Sequence, residues 1–312
     1  MLTKNSGEWL PEVLGPLVKN KEAYDLKLVC VDGYSKDDSL DLIQEAFPDA
    51  VIDLLKSRSL ATNRNRALEL AYKNYSDAEF MCWIDSDVVV PDNYFVRCLK
   101  MFEDPKVGIV GLRFELERDP AKGFVAKFYR DRTDIIRSGV FETDYTTTAN
   151  SMFRGSLGKN IMIDDERFER AGEDVDFNLQ IRKQGYKALV DANFEPSWHI
   201  RKASVMEELH RVKDHGLARG SLVFKYSELM GKGRQIKTFI MALLVAGGII
   251  SYFLIPFIGL WGMIPLGLVY LRHWFKCRDR SRLDYAFFGA LLSTIYFLRF
   301  WQGAIQWWLH KA

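Results

Sequence analysis

Residues 82–90 read CWIDSDVVV, an apolar run interrupted by two aspartates one residue apart. Read as a strand, the run stops at Asp85 and resumes at Val88. Side chains two apart along an extended segment point the same way, so Asp85 and Asp87 can reach one object at a strand end. Two anions held together are unfavourable unless a cation or hydrogen-bond donors neutralise them, and hard oxygen ligands favour magnesium or manganese. The plain alternative is a turn in which the aspartate side chains cap the strand. The choice depends on what the rest of the chain supplies.

Outward from that stretch, strands and helices alternate. LKLVCVDG (26–33) is an apolar strand ending in Asp-Gly, SKDDSLDLIQEAF (35–47) reads as a capped helix, and SLATNRNRALELAYKN (59–74) as a second helix. The strand EFMCWID (79–85), the helix YFVRCLKMFED (94–104) and the strand KVGIVGLRF (106–114) continue the series. Such alternation predicts βαβ units, hence an α/β fold with a mostly parallel sheet and a site at the C-terminal strand ends. Asp32 and Asp85 both occupy that kind of position.

Three further stretches can serve such a site. Asp32, followed by Gly33 and a helix start, can hydrogen-bond a base or ribose where phosphates also sit well, although the pattern equally suits an ordinary strand-turn-helix. Arg64, near the start of the second helix, can reach a phosphate or lie in solvent. FERAGEDVDFNLQIRKQGYK (168–187) opens a helix on Gly172, Glu173, Asp174 and Asp176 and closes it with Gly185 as the C-cap. Asp174 is the candidate general base, and a helix N-terminus should keep its carboxylate ionised near neutral pH. The strand KALVDANF (187–194) leads on to Trp198 and His199, where an imidazole could complete a metal site or simply serve the structure.

Charge divides the chain. Residues 1–200 hold 27 Lys and Arg against 35 Asp and Glu, and residues 201–312 hold 16 against 6. An acidic front and a basic, apolar tail suit a soluble domain followed by a segment that meets anionic lipid. The basic residues flank apolar runs and form no groove-sized patch, so a nucleic-acid reading is weaker and no nucleic-acid partner is expected. Residues 238–271 are 34 consecutive uncharged positions, longer than the roughly 20 that one span needs. They predict a tight transmembrane hairpin turning near Pro256 to Trp261. Lys232, Arg234 and Lys237 before the run and RHWFKCRDRSR (272–282) after it place both ends in the cytoplasm. A third apolar stretch, 285–309, predicts another span or a helix lying in the interface with Trp301, Trp307 and Trp308 at headgroup level. Residues 201–236 read as a basic amphipathic segment on the membrane surface. The four cysteines, Cys30, Cys82, Cys98 and Cys277, lack C-x-x-C spacing and suit a reducing compartment, and MLTKNSGEW carries no signal-peptide core.

Taken in order, VDGYSKDD, ATNRNRALELA, WIDSDVVVP, AGEDVDFNLQIRKQGYKALVD and PSWHIRKAS resemble the family 2 glycosyltransferases over about residues 1–235. That resemblance implies a GT-A fold, a Rossmann-like mixed sheet, here with C-terminal transmembrane helices. Residues 1–200 would be a cytosolic catalytic domain and 237–312 a multi-pass membrane region. It implies a metal-dependent inverting enzyme that uses a UDP- or GDP-sugar and a lipid-linked acceptor. Thr3, Asp32, Arg64 and Asp85 would bind the donor. Asp85, Asp87 and His199 would hold Mn2+ or Mg2+. Asp174 would deprotonate the acceptor hydroxyl, with Glu173, Trp198 and Arg154 on the acceptor side and residues 115–160 carrying specificity. Two departures stand out: only Met1 and Leu2 precede Thr3-Lys4-Asn5, so the first strand is short or begins upstream, and Gly33 replaces a customary second aspartate. The absence of Q-x-x-R-W argues against a processive synthase. A polyprenyl-phosphate sugar synthase and a catalytically silent membrane scaffold are the other readings. The first needs no base, and the second would not need the paired acids.

Overall fold

The computed structural model describes residues 1–116, 123–131, 138–193, 195–200, 204–230, 232–253 and 264–311. The chain divides into two compact units, one of residues 1–118 with 138–202 and the other of residues 119–137 with 203–312. The division near residue 202 follows the composition change. The helix Phe124–Arg130, which the sequence places inside the first domain, groups with the second unit.

The first unit is α/β. Strands β1 (Leu2–Thr3), β2 (Val29–Asp32) and β3 (Val51–Leu54) form a parallel sheet in that order, crossed over by α1 (Leu10–Asn20) and α2 (Ser39–Ala46). After α3 (Leu60–Asn74), strand β4 (Phe80–Ile84) begins a second sheet. A short β5 (Val88–Val89) and helix α4 (Tyr94–Met101) precede β6 (Val107–Leu112), in which all six residues are buried. A continuous apolar run is what a strand covered on both faces requires.

Strand β7 (Phe114–Leu116) follows, helix α5 (Phe124–Arg130) belongs to the second unit, and β8 (Val140–Thr143), β9 (Asn150–Arg154) and the short α6 (Gly155–Gly158) resume the first. Helix α7 (Glu173–Lys183) then leads through β10 (Lys187–Asp191) to β11 (Ser197–His199). The second sheet runs β4-β9-β6-β10-β8 and the third β5-β11-β7. The sheet is therefore mixed, because β9 returns antiparallel between β4 and β6.

Local signals explain the helix ends near the site. Ser59 Oγ accepts the Thr62 N–H at 3.1 Å and caps α3. Helix α7 is framed by Gly172 and Gly185 at φ 90° and 92°, left-handed positions that side-chain-bearing residues disfavour.

The second unit is helical, with α8 (Val205–Lys225), α9 (Lys232–Phe253), α10 (Ile264–Lys276) and α11 (Leu283–Lys311). Ser204 and Glu207 form a capping box at the start of α8. Helix α5 belongs here because Val125 and Phe128 pack with Tyr285, Phe288 and Leu292, while the Tyr129 hydroxyl donates to Glu208, which also pairs with Arg211.

Among the described residues, one helix is long and apolar enough to cross a membrane: α11, over Leu283–Leu309. Among the described residues the expected hairpin does not show two full spans. The apolar part of α9 covers Gln235–Ser251, and α10 has 13 residues, about 20 Å against a hydrocarbon core of about 30 Å. The expected turn at 256–261 lies outside the described residues.

Helices α8 and α11 approach to backbone contact. A methyl group on Gly220 would stand 2.2 Å from the Phe300 carbonyl oxygen, and one on Gly303 would stand 1.9 Å from that of Leu217. Gly216 and Gly220 form a G-x-x-x-G step on α8, the spacing that lets two helices touch along small residues. Gly220→Ala should therefore destabilise the second unit by about 2 kcal/mol, as overpacking does. A lowered melting temperature of the full chain in detergent checks this.

Candidate active site

Strand β4 ends at Ile84, and the chain turns at once: the Val88 N–H donates to the Asp85 carbonyl at 3.1 Å. Asp85 and Asp87 thus lie in a turn and not in an extended segment. Within the structure their carboxylates take different partners. Asp85 Oδ1 accepts from Arg64 Nη2 at 2.9 Å, and Asp87 Oδ2 lies 3.1 Å from His199 Nε2. His199 arrives through β11, where it pairs with Val88 of β5, and the Ile200 N–H donates to the Asp87 carbonyl.

Arg64 is the surprise of the site. Expected as a phosphate contact, its side chain is only 3% exposed and is held by Asp85 and by Glu173, whose Oε1 is 3.7 Å from its Nε. Its guanidinium also lies over the Trp83 ring at 5.1 Å. A buried cation needs nearby anions, and a phosphate would have to displace them. Arg64 therefore joins three segments, α3, the turn after β4 and the start of α7. Sequence showed the charge and the helix but not the burial. Trp83, beneath it, was also missed, since a tryptophan in an apolar strand reads as core.

Asp174 stands beside this group. Its carboxyl is pushed up to about 7, first by burial and then by the negative charge of Glu173, against the Val175 N–H and Arg64, which favour its ionised form. Burial likewise raises Glu173 above the usual carboxylate range, with Arg64 opposing. The helix terminus was expected to keep Asp174 ionised, and desolvation together with a like charge outweighs it. Asp176, the third acid of the run, is fully buried and accepts from the Asp164 N–H and from Gln180, a structural task.

The remaining sequence candidates separate. Asp32 is buried, and both of its oxygens accept from Ser35, one from the N–H and one from the hydroxyl. Thr3 pairs with it across β1 and β2, and its buried Oγ1 has no hydrogen-bond partner. Trp198 is half-buried between Val89 and Glu115 and, by strand alternation, faces away from His199. Arg154 lies opposite Phe80, at the other end of β4 from Asp85, and donates to the carbonyls of Val107 and Phe102. Its donors are engaged there, which accounts for it structurally. Ser6 and Ser86, which the sequence did not single out, pair hydroxyl to hydroxyl at 2.8 Å beside the turn.

No group of three or more acidic, histidine or cysteine side chains suited to a metal occurs among the described residues. Asp87 and His199 nevertheless fit magnesium or manganese, ions that keep several waters and commonly take one or two protein ligands plus substrate phosphates. Asp85 meets Arg64 through Oδ1.

A family model described as "Glycosyl transferase family 2" matches residues 1–174. No curated protein matches the sequence. Among solved structures, residues 1–349 of S. aureus TarS in complex with UDP-GlcNAc align at a TM-score of 0.52 and 14% identity, over 97% of this chain and 90% of that one. Another S. aureus TarS structure aligns at 0.50 and 16%, over 94% of this chain and 53% of that one. GalNAc-T7 with UDP, GalNAc and Mn2+ aligns at 0.50 and 11%, over 70% of this chain and 49% of that one. At these identities the likeness is one of fold, and it is shared with GT-A enzymes.

Replacing Arg64 with Met should leave Asp85 and Glu173 without their buried counter-charge and cost about 3–5 kcal/mol. Chemical denaturation checks the magnitude. The deficit should shrink on acidification, because burial already raises Glu173 and its protonation removes one of the uncompensated charges.

Proposed function

Because the chain belongs to the family 2 glycosyltransferases, we propose that it transfers a sugar, with inversion, from a nucleotide-diphosphate sugar to a hydroxyl on a lipid-linked acceptor. The observation that carries this reading is Asp174: a carboxyl pushed up to about 7, set next to the Arg64 group and at the opening of α7. A base with a pKa near the working pH combines a useful ionised fraction with a useful proton affinity. Asp174 takes the acceptor proton as the hydroxyl oxygen attacks the anomeric carbon from the side opposite the departing nucleotide diphosphate. Glu173 keeps Asp174 basic through its charge, and Arg64 holds Glu173 and Asp85 in place.

Asp32 and Thr3 lie together at the ends of β1 and β2, where a nucleoside would meet them. Magnesium or manganese held by Asp87 and His199 would supply positive charge for the diphosphate. That structures of the same fold contain UDP-GlcNAc, or UDP with Mn2+, supports a nucleotide-sugar donor with uridine as first candidate.

The acceptor assignment rests on the tail. Helix α11 is long and apolar enough to span a bilayer, and the exposed side chains of Ile240, Leu243, Leu268, Phe287, Leu298 and Trp308 suit lipid better than water. The basic stretch 272–282, between α10 and α11, supports a cytoplasmic side for those helix ends by the positive-inside rule.

Asp174→Asn should lower kcat by about 10²–10⁴ and leave donor binding in place. Membranes carrying the protein, incubated with labelled nucleotide sugars with and without manganese and then extracted for lipid, test this. Transfer to a lipid phosphate that survives the substitution would overturn the hydroxyl acceptor. In wild type, kcat/KM should fall as pH drops below about 7, since protonated Asp174 cannot accept a proton. Glu173→Gln should move that limb to lower pH by removing the charge that helps raise Asp174.

A further inference from the structure

Tyr34, two residues past the end of β2, sits at φ 61°, in the left-handed region. Among the described residues only Asn5 and Asp25 join it there with side chains of their own, and short polar side chains tolerate that region. A tyrosine in it is strained. The Tyr34 side chain is 53% exposed and makes no hydrogen bond or ring contact among the described residues, so nothing in the chain accounts for its placement. The Lys4 stem covers Gly33, where an added methyl group would stand 3.0 Å from Lys4 Cδ, which makes Tyr34 the first side chain beyond Asp32.

The conformation is imposed from two sides. Asp32 accepts from the Ser35 N–H at 2.7 Å and from the Ser35 hydroxyl at 2.6 Å, which closes the turn around Tyr34. The loop after β1 locks the same turn: the Asn5 N–H donates to Ser35 Oγ at 2.7 Å, and the Lys36 N–H to Asn5 Oδ1 at 2.8 Å. Strained residues persist only where their surroundings over-determine them, and they cluster at ligand sites. Glycine takes this conformation without strain. The turn therefore holds out a ring that folding does not require.

What surrounds the ring suits a flat ligand. Register sets Thr3, Asp32 and Leu54 side by side at the ends of β1, β2 and β3. Thr3 is 5% exposed, and its Oγ1 has no hydrogen-bond partner. Leu54 is exposed. A carboxylate, an unpartnered hydroxyl and two exposed apolar side chains, one of them aromatic, match a group with apolar faces and a polar edge. We propose that the Tyr34 ring stacks on the base of the donor nucleotide. This inference rests on the proposed nucleotide-sugar donor and adds the side chain that carries its base. Stacking uses the ring and not the phenol hydroxyl, and it is blind to the diphosphate.

The experiment measures binding of UDP, GDP and inorganic diphosphate, each with manganese, to the full chain in detergent as wild type, Tyr34→Gly and Tyr34→Phe. Tyr34→Gly should weaken the nucleotide that wild type prefers by about tenfold, the scale of one aromatic stack on a base. It should leave the affinity for inorganic diphosphate as it is and keep Tm at or above that of wild type, because glycine relieves the strain. Tyr34→Phe should bind like wild type. Equal nucleotide affinity in Tyr34→Gly and wild type, the result expected if the ring met the sugar instead, would overturn the inference and leave the donor reading standing. A loss shared by inorganic diphosphate, or a Tyr34→Phe variant as weak as Tyr34→Gly, would overturn it too. A wild type that binds inorganic diphosphate as tightly as either nucleotide would overturn the inference and the nucleotide donor together.

Discussion

The site depends on one buried charge. Arg64 sits in the interior of the first unit with Asp85 on one side and Glu173 on the other, and each of the three is tolerable there only because of the others. Helix α3, the turn after β4 and the first turn of α7 converge on that guanidinium. Remove it, and two carboxylates remain in a region already crowded with negative charge. The same arrangement tunes Asp174, since Glu173 raises its pKa while Arg64 limits the rise.

A second constraint is geometric. The turn at Asp85–Val88 separates the two aspartates, sending one inward to Arg64 and the other toward His199 on β11. One carboxylate is thereby held by the buried Arg64 and the other by His199. The third sheet, β5-β11-β7, holds that division by placing His199 against Val88 and Leu116. Motifs far apart in sequence become one site because short strands hold their ends in register.

The second unit follows different rules. Glycines at 216, 220 and 303 bring α8 and α11 to backbone contact, and the outer faces of α9, α10 and α11 carry large exposed apolar side chains. Close packing on small residues is what lets two helix backbones touch. Helix α5 belongs to this unit, although residues before and after it in sequence belong to the first. The composition change near residue 200 could not show that, because α5 is chosen by its fit against Tyr285, Phe288 and Leu292 and not by its own hydropathy.

The sequence by itself determined the α/β alternation, the ends of most helices and strands, the left-handed glycines around α7, and the candidacy of Asp32, Asp85, Asp87, Asp174 and His199. Those features are local: periodicity, capping and turn chemistry act over a few residues. Only the tertiary structure decided that Arg64 is buried, that Asp85 and Asp87 part company, that Arg154 serves the far end of β4, and that Asp174 is pushed up to about 7. Desolvation and Coulomb energy depend on which groups meet across more than a hundred residues of chain, and no spacing in CWIDSDVVV records that its first aspartate faces an arginine on one helix while a glutamate from another shares the same charge.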